Sequence, residues 1–528
     1  MANAQLFNTQ KAKVSKVPVA DAKNAAGGKA YSRSAEEALA QYAATGTFGN
    51  TFYTKAEDQL AEVGKLALEV SPEFLAKLAI YSRDKAHMKD MPAFLLAVLA
   101  SRDVGLFKQV FDRVIDNGRM LRNFVQIMRS GATGRSSLGT APKRKVQEWL
   151  AKRAPEQLIR DMVGNNPSLA DVIKMVHPKP ETKSQSAAFA YLCDRKYDGR
   201  SLPKCFKEFE AFKAGEKGKR VIPDVPFQLL TASDLSDKEW TEIAKNARWQ
   251  MTRMNLNTFA RHNVLKDQAM VDMLAERLRD PVQVRASKNF PYQLFTSYMF
   301  VDAEVPTKLT NALQDAMEVA VSNVPKFEGK VQVLVDTSGS MSGIVTGDRG
   351  TASSKMRYTD VAALIASVVL RQNDEAEVYG FDTSARKLKL NGRDSVVTNA
   401  QKINTPGGGT DVSCGLRLLN SEKAKGDLVI IISDNESWFD GGNNPFGYRG
   451  TSAAHEWQAY KARNPKARMV CINIAPMSTV QVPTDKSVLN VGGFSDQVFE
   501  VIASFMKSGG EKDFWAKEID STVKLMVS

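Results

Sequence analysis

Only four cysteines occur in the 528 residues, Cys193, Cys205, Cys414 and Cys471, far apart and never in CxxC spacing. This excludes a disulfide scaffold and a zinc ribbon and fits a reducing, cytoplasmic compartment. No stretch approaches the ~18–20 uninterrupted apolar residues of a membrane span, and the first residues lack the charged-then-apolar order of a secretory signal. Glycine and proline, 34 and 20 residues, are too few for collagen or bulk disorder. The remaining composition is globular, 43% hydrophobic and 25% charged. Its length suits roughly two to four domains.

Charge is unevenly placed. Residues 1–330 hold 50 Lys and Arg against 37 Asp and Glu, whereas 331–528 hold 22 of each. Within 101–220, 25 basic residues face 13 acidic ones. Such a block is the electrostatic footprint of a polyanion binder, with nucleic acid favoured; solvated helix faces are the alternative.

Residues 1–30, rich in Ala, Lys, Asn and Gly, read as a flexible tail. From 34 to 324 amphipathic helices follow one another. Ser34 with Glu37 and Ser236 with Glu239 have capping-box spacing, and Ser71-Pro72 marks a start with proline at the first helical position. Phe107, Val110, Phe111 and Val114 form one core-facing stripe, and Leu121, Phe124, Val125 and Met128 another. Many short helices with almost no strand pattern between them predict stacked helical hairpins.

The pattern changes near Glu328. Short apolar runs at 331–335, 377–381, 428–432 and 469–474 alternate with helical segments at 358–370, 412–419 and 452–462, and a helical 494–505 follows. This predicts a buried parallel sheet with helices on both faces, an α/β doubly wound domain. Its first strand ends in Asp336-Thr337-Ser338-Gly339-Ser340. Gly407-Gly408-Gly409-Thr410-Asp411 opens a later helix, and Ser433-Asp434 ends another strand. Ligands bind at the carboxyl ends of strands in such sheets. Asp336, Ser338, Ser340, Thr410 and Asp434 therefore form a candidate oxygen-only site for Mg²⁺ or Mn²⁺. A lone Asp-x-Ser-x-Ser would be a surface turn; three pieces in order make chance a poor account. The combination resembles the von Willebrand factor A domain and its metal-ion-dependent adhesion site, which usually accepts an acidic group from a partner. Two acids and a cation could instead cleave phosphodiesters, but no histidine or lysine stands beside these strand ends, so binding is the better reading.

Several segments sharpen the comparison. Ala44-Thr45-Gly46-Thr47-Phe48-Gly49-Asn50-Thr51-Phe52-Tyr53 resembles the opening Gly-rich, Thr-aromatic-Tyr segment of the TROVE domain of the Ro autoantigen family. Lys143-Arg144-Lys145-Val146-Gln147-Glu148-Trp149 is similar to its basic stretch running into Trp. The segment 169–180, ending His177-Pro178-Lys179-Pro180, resembles its helix followed by His-x-Lys-Pro. The Gly407–Asp411 and Ser433–Ser437 loops match its signature loops. The loop at 343–357 is longer and richer in Gly and Ser than the family pattern.

The resemblance spans about 34–528 and implies a bacterial-type Ro protein. Its layout would be a tail at 1–30, an all-α, HEAT-like helical-repeat ring (TROVE) at 31–327, and a von Willebrand factor A domain at 328–528. It implies a monomeric, non-enzymatic scaffold that binds Y-type noncoding RNAs and the single-stranded 3′ ends of misfolded RNAs. Exoribonucleases of RNA quality control and decay would be partners, one of them at the metal site. Candidate RNA contacts are Arg119, Arg122, Arg129, Arg135, Lys143, Arg144 and Lys145, with Lys174, His177 and Lys179 on the second basic segment. His262, Arg285 and Lys288 could line a channel, although capping explains them equally well. The competing expectations are a metal-dependent docking scaffold without specific RNA binding and, behind it, a metal nuclease.

Overall fold

Helix-start chemistry and apolar spacing account for the first part of the chain. The computed structural model describes residues 17–287, 291–322, 324–345, 355–403, 407–438, 450–495 and 497–525. Among these, nineteen α-helices run from Ala35–Thr45 to Thr307–Val321. Ser71 caps Pro72–Asp84, accepting from the Phe74 amide at 3.1 Å. At Asp237–Asn246, Ser236 and Glu239 form the reciprocal box. Ser34 caps its helix, but Glu37 does not return the bond; its carboxylate turns inward to Arg33, 3.6 Å away.

Helices pack on near neighbours in sequence, as in stacked hairpins: Asp90–Arg102 lies against the adjacent Pro72–Asp84 and Val104–Val114 and against Gly118–Arg129, two places along. The two expected stripes meet there. Phe107 stacks on Phe124 at 5.9 Å, and Phe111 meets Phe124 edge-on at 5.4 Å. All three rings are buried, each stabilising the fold by roughly 1.5–3 kcal/mol.

Nine strands are present among the described residues: β1 (Ala22–Lys23), β2 (Lys29–Ser32), β3 (Val331–Asp336), β4 (Glu377–Phe381), β5 (Ala385–Lys387), β6 (Leu428–Ser433), β7 (Arg468–Asn473), β8 (Thr479–Val480) and β9 (Val488–Gly492). The main sheet has the order β5-β4-β3-β6-β7-β9, parallel except for the edge strand β5. Its central strands β3 and β6 are buried along their whole length, which is why they read as apolar runs, broken in β3 by Gln332, whose Oε1 accepts from the Tyr460 hydroxyl at 2.6 Å.

The expectation of a flexible tail over 1–30 is corrected for its second half; residues 1–16 lie outside the described residues. β1 pairs with β2, and β2 with β8 of the α/β domain, all antiparallel. Tyr31 is buried in that domain's core and donates to Pro18 O at 2.9 Å. A low-apolar strap can hold this way because backbone pairing and one aromatic anchor replace a continuous apolar face.

Both ends of the helical array meet on the α/β domain. At the N-terminal end, the Gln41 amide donates to Asn473 O and Ala475 O, both at 2.8 Å, and Lys77 pairs with Asp520 at 2.8 Å. At the other end, Arg371 pairs with Glu318 at 3.2 Å, and Asn373 accepts from the Phe327 amide at 2.8 Å. The array is thereby closed through the second domain. Phe124→Ala should cost ~3–5 kcal/mol in denaturant unfolding, whereas Gln126→Ala on the exposed face should stay within ~0.5 kcal/mol.

Candidate metal site and basic surface

The carboxyl edge of the parallel sheet gathers the acids and hydroxyls expected there. Asp336, at the end of β3, accepts from the Ser338 amide at 2.9 Å and from the Ser433 hydroxyl at 2.6 Å. The Ser338 and Ser340 hydroxyls are 3.2 Å apart. The glycine loop is held against them: Gly339 N donates to Gly408 O at 2.9 Å, and Gly407 N to Thr337 O at 2.6 Å. That loop carries Thr410. From the end of β6, Asp434 interacts with Ser340 and accepts from the Glu436 amide at 3.2 Å. None of the five candidate donors is more than 4% exposed.

Burial dominates the electrostatics. It raises Asp336 to about 7, with Asp434 adding repulsion, and it raises Asp434 as well. Glu436 is fully buried and pushed up to about 8, mainly by burial and then by Asp434. Its Oε1 has no hydrogen-bond partner. Among the described residues, no group of three or more His, Cys, Asp or Glu side chains is placed to hold a metal. The donor set here is two carboxylates plus hydroxyls, all hard oxygens, and two acids raised chiefly by burial fit a small divalent cation rather than a soft one. Asp411 serves the fold: it caps Val412–Ser421, accepting from the Ser413 amide at 2.9 Å.

Three features at this edge escaped the reading of the sequence. Ser433 and Glu436 flank Asp434 in a run whose importance rested on the aspartate alone. Tyr53 arrives from the helical domain into the field of Asp434, Glu436 and Asp336, and burial, then Asp434, raise its phenol. The strap supplies the third: the Asn24 amide donates to Ser437 O at 2.7 Å, and Ala26 N to Glu436 Oε2 at 2.9 Å. Of the long loop, 346–354 lies outside the described residues; its base is closed by Val345 N donating to Met356 O at 2.9 Å.

On the helical domain, Arg119, Arg129, Arg135, Arg144, Lys174, His177 and Lys179 are exposed and Lys143 is half-buried. None of them pairs with an acid among the described residues. His177 caps Leu169–Val176 in the left-handed region (φ 54°). With Lys174, Pro178, Phe189 and Arg195 it lines a cavity of about 230 Å³.

Arg122 and Lys145 are corrections. Arg122 is buried, donating to Gly118 O at 3.2 Å and to Val163 O. Gly164 leaves room for it, since a Cβ there would lie 2.6 Å from the guanidinium. Lys145 is buried between Asp112 at 3.2 Å and Glu148 at 3.5 Å, above the Phe111 ring. Both cations are committed within the fold and offer nothing to a polyanion. His262 stacks on Trp240 at 4.2 Å and caps Leu256–Arg261. Arg285 is exposed, and Lys288 lies outside the described residues.

Fold and site together define a closed array of helical hairpins joined to an α/β domain of the von Willebrand factor A kind. Residues 330–506 match the family of the Ro60 vWA domain. A protein of Deinococcus radiodurans named "RNA-binding protein RO60" is 24% identical over 523 residues, covering 92% of this chain and 95% of that protein. A Caenorhabditis elegans protein of the same name is 23% identical over 296 residues, 52% of this chain and 43% of its own length. The crystal structure of the Deinococcus radiodurans Ro (Rsr) protein superposes with a TM-score of 0.62 at 19% identity, over 90% of this chain and 99% of that one. Over nearly its whole length the chain is similar to these Ro proteins.

A pH dependence follows from Asp336. Its carboxyl is raised from 3.8 to about 7 on folding, so between those values the folded state holds a proton that the unfolded state has lost. In chelator-treated protein this contribution is full below about 3.8 and is lost as pH rises through about 7. Thermal melts should show Asp336→Asn with a flatter decline over that interval; an unchanged decline would place its origin elsewhere.

Proposed function

We propose that this protein is a non-enzymatic RNA-binding scaffold. The single observation that carries the reading is the group of cations unpaired with acids among the described residues, the exposed Arg119, Arg129, Arg135, Arg144, Lys174 and Lys179 with the half-buried Lys143, in the part of the chain that holds the whole charge excess. The names of the relatives support it. Cations left without acid partners retain their charge for phosphates, and a surface built from them grips shape and backbone rather than sequence. Arg135 lies in the loop before Thr140–Lys152, and Lys143 and Arg144 lie in that helix's first turn. His177, beside the cavity, adds a flat ring that can stack on a base.

In finer terms, the ligands are small structured noncoding RNAs of the Y type and the single-stranded ends of misfolded RNAs, handled in cytoplasmic quality control and decay by a monomer working with an exoribonuclease. Asp336, Ser338, Ser340, Thr410 and Asp434 hold Mg²⁺ or Mn²⁺. A bound cation would neutralise the buried acids and present an electrophilic position for an acidic group. Serine and threonine hydroxyls orient it, and the sheet edge keeps water away.

A gel-shift titration of a stem-loop RNA with a single-stranded 3′ end tests the reading. Arg135/Lys143/Arg144→Ala should weaken binding and flatten its salt dependence by roughly one unit of log–log slope per lost phosphate contact. Lys145→Ala should lower thermal stability and leave that slope in place. Wild-type binding no tighter than that of a neutral control protein would overturn the RNA reading in favour of a docking scaffold.

A further inference from the structure

The three residues that follow Asp434 are each held by the N-terminal strap or by the strand it pairs with. Asn435 stands in the left-handed region (φ 69°), and its amide donates to Thr479 O of β8 at 2.7 Å. Gln481, just beyond β8, joins the two pieces: its amide reaches Lys29 O at 3.3 Å and Asn435 O at 3.4 Å. Ala26 N donates to Glu436 Oε2 at 2.9 Å, and the Asn24 amide to Ser437 O at 2.7 Å. Asn24 is itself fixed in a turn. Its Oδ1 accepts from Gly28 N at 2.7 Å, its N donates to Gly28 O and its O accepts from Gly27 N, both at 3.0 Å. The turn lies on the run without a gap, since a Cβ on Gly28 would sit 2.1 Å from Ser437 O. Ser437 passes the hold to the glycine loop: its hydroxyl donates to Thr410 O at 3.3 Å and accepts from Val412 N at 3.2 Å.

We propose that Asn24 is a positioning residue for the cation site: the strap turn it organises fixes Ser437, and Ser437 fixes the loop that carries Thr410, so seating of the strap and affinity for the cation rise and fall together. The inference rests on the cation reading given above. Bonds behind the donors of a metal orient them, and their loss weakens binding although no donor is removed. Asp336 ends a strand paired on both sides and is placed by the sheet, whereas Thr410 sits in a loop and depends on the bonds around it. Tyr31 and the pairing of β2 with β8 already anchor the strap on the α/β domain. The Asn24 turn reaches past that anchor to the residues beside Asp434. By linkage the effect is reciprocal: whatever factor the seated strap adds to cation affinity, the cation adds to the seating of the strap.

Calorimetric Mg²⁺ titration and hydrogen exchange on the full chain test this with two variants of different kinds. Asn24→Ala removes the tie, while Gly28→Ala keeps every polar group and wedges the turn off Ser437. Each should bind Mg²⁺ roughly tenfold more weakly, whereas Lys23→Ala, an exposed change on the same strap, should bind as wild type does. In wild type, saturating Mg²⁺ should slow exchange of the 24–28 amides by the same factor, about tenfold. A turn that served stability alone would lower the melting temperature in chelator and leave the Mg²⁺ affinity of both variants unchanged. That result, or Mg²⁺ binding to wild type with no change at 24–28, would overturn the proposal. If neither variant folds, the wild-type exchange decides alone. No Mg²⁺ binding to wild type would overturn the cation reading and this inference with it, whereas RNA binding in the gel shift would stand apart from both results.

Discussion

Two aspartates and a glutamate buried at the carboxyl edge of one sheet set the terms for the rest of this molecule. Asp336, Asp434 and Glu436 are almost without solvent, and burial raises all three. Acids in such a place stay protonated or acquire a counter-charge. Parallel strands explain how they came together: β3 and β6 are adjacent and in register, so residues at the ends of their apolar runs are neighbours in space. Hydroxyls, glycine amides and a threonine loop surround them, an arrangement suited to holding a small hard cation.

The same edge joins the two halves of the chain. The strap covers it from one direction and Tyr53 from another, while Gln41 bonds the neighbouring end of β7. Closure of the helical array and protection of the acids are therefore one structural event. Beside it lies the buried Arg33–Glu37 pair, whose carboxylate also receives the Thr484 hydroxyl at 3.3 Å. Burial lowers the arginine and raises the glutamate, and loss of either partner would leave the other uncompensated. The surface cations lie away from this junction, on helices whose acidic partners are few.

What could be read from the sequence follows physical lines. The four expected parallel strands appear within a residue or so of their predicted ends, because each is built mostly of β-branched and apolar residues and is buried along most of its length. The acids at the ends of β3 and β6 fall at one edge for a related reason: the two strands are adjacent, parallel and in register. β9 was missed, its short run holding Asn490 and ending in glycine; only the structure shows that Asn490 Nδ2 donates to Val482 O at 2.9 Å and to Thr484 Oγ1 at 3.0 Å. β1, β2 and β8 are held by pairing partners remote in sequence, which local pattern does not encode. Arg122 and Lys145 were placed on a surface because helical spacing gives the angle of a side chain but not what packs over it. For Arg122 the deciding fact is Gly164, and for Lys145 it is Asp112 on a neighbouring helix. Tyr53 stood in the segment that resembles the family, yet its arrival at the metal edge depends on closure of the whole array.

The measurement that bears most directly on the central claim is ultraviolet crosslinking of the full chain to a stem-loop RNA, followed by mass-spectrometric mapping of the linked peptides. The account predicts links concentrated in peptides spanning 119–144 and 174–196, sparing the buried Lys145 and the strands of the α/β domain. Links distributed evenly over both domains, or gathered on the α/β domain alone, would contradict it.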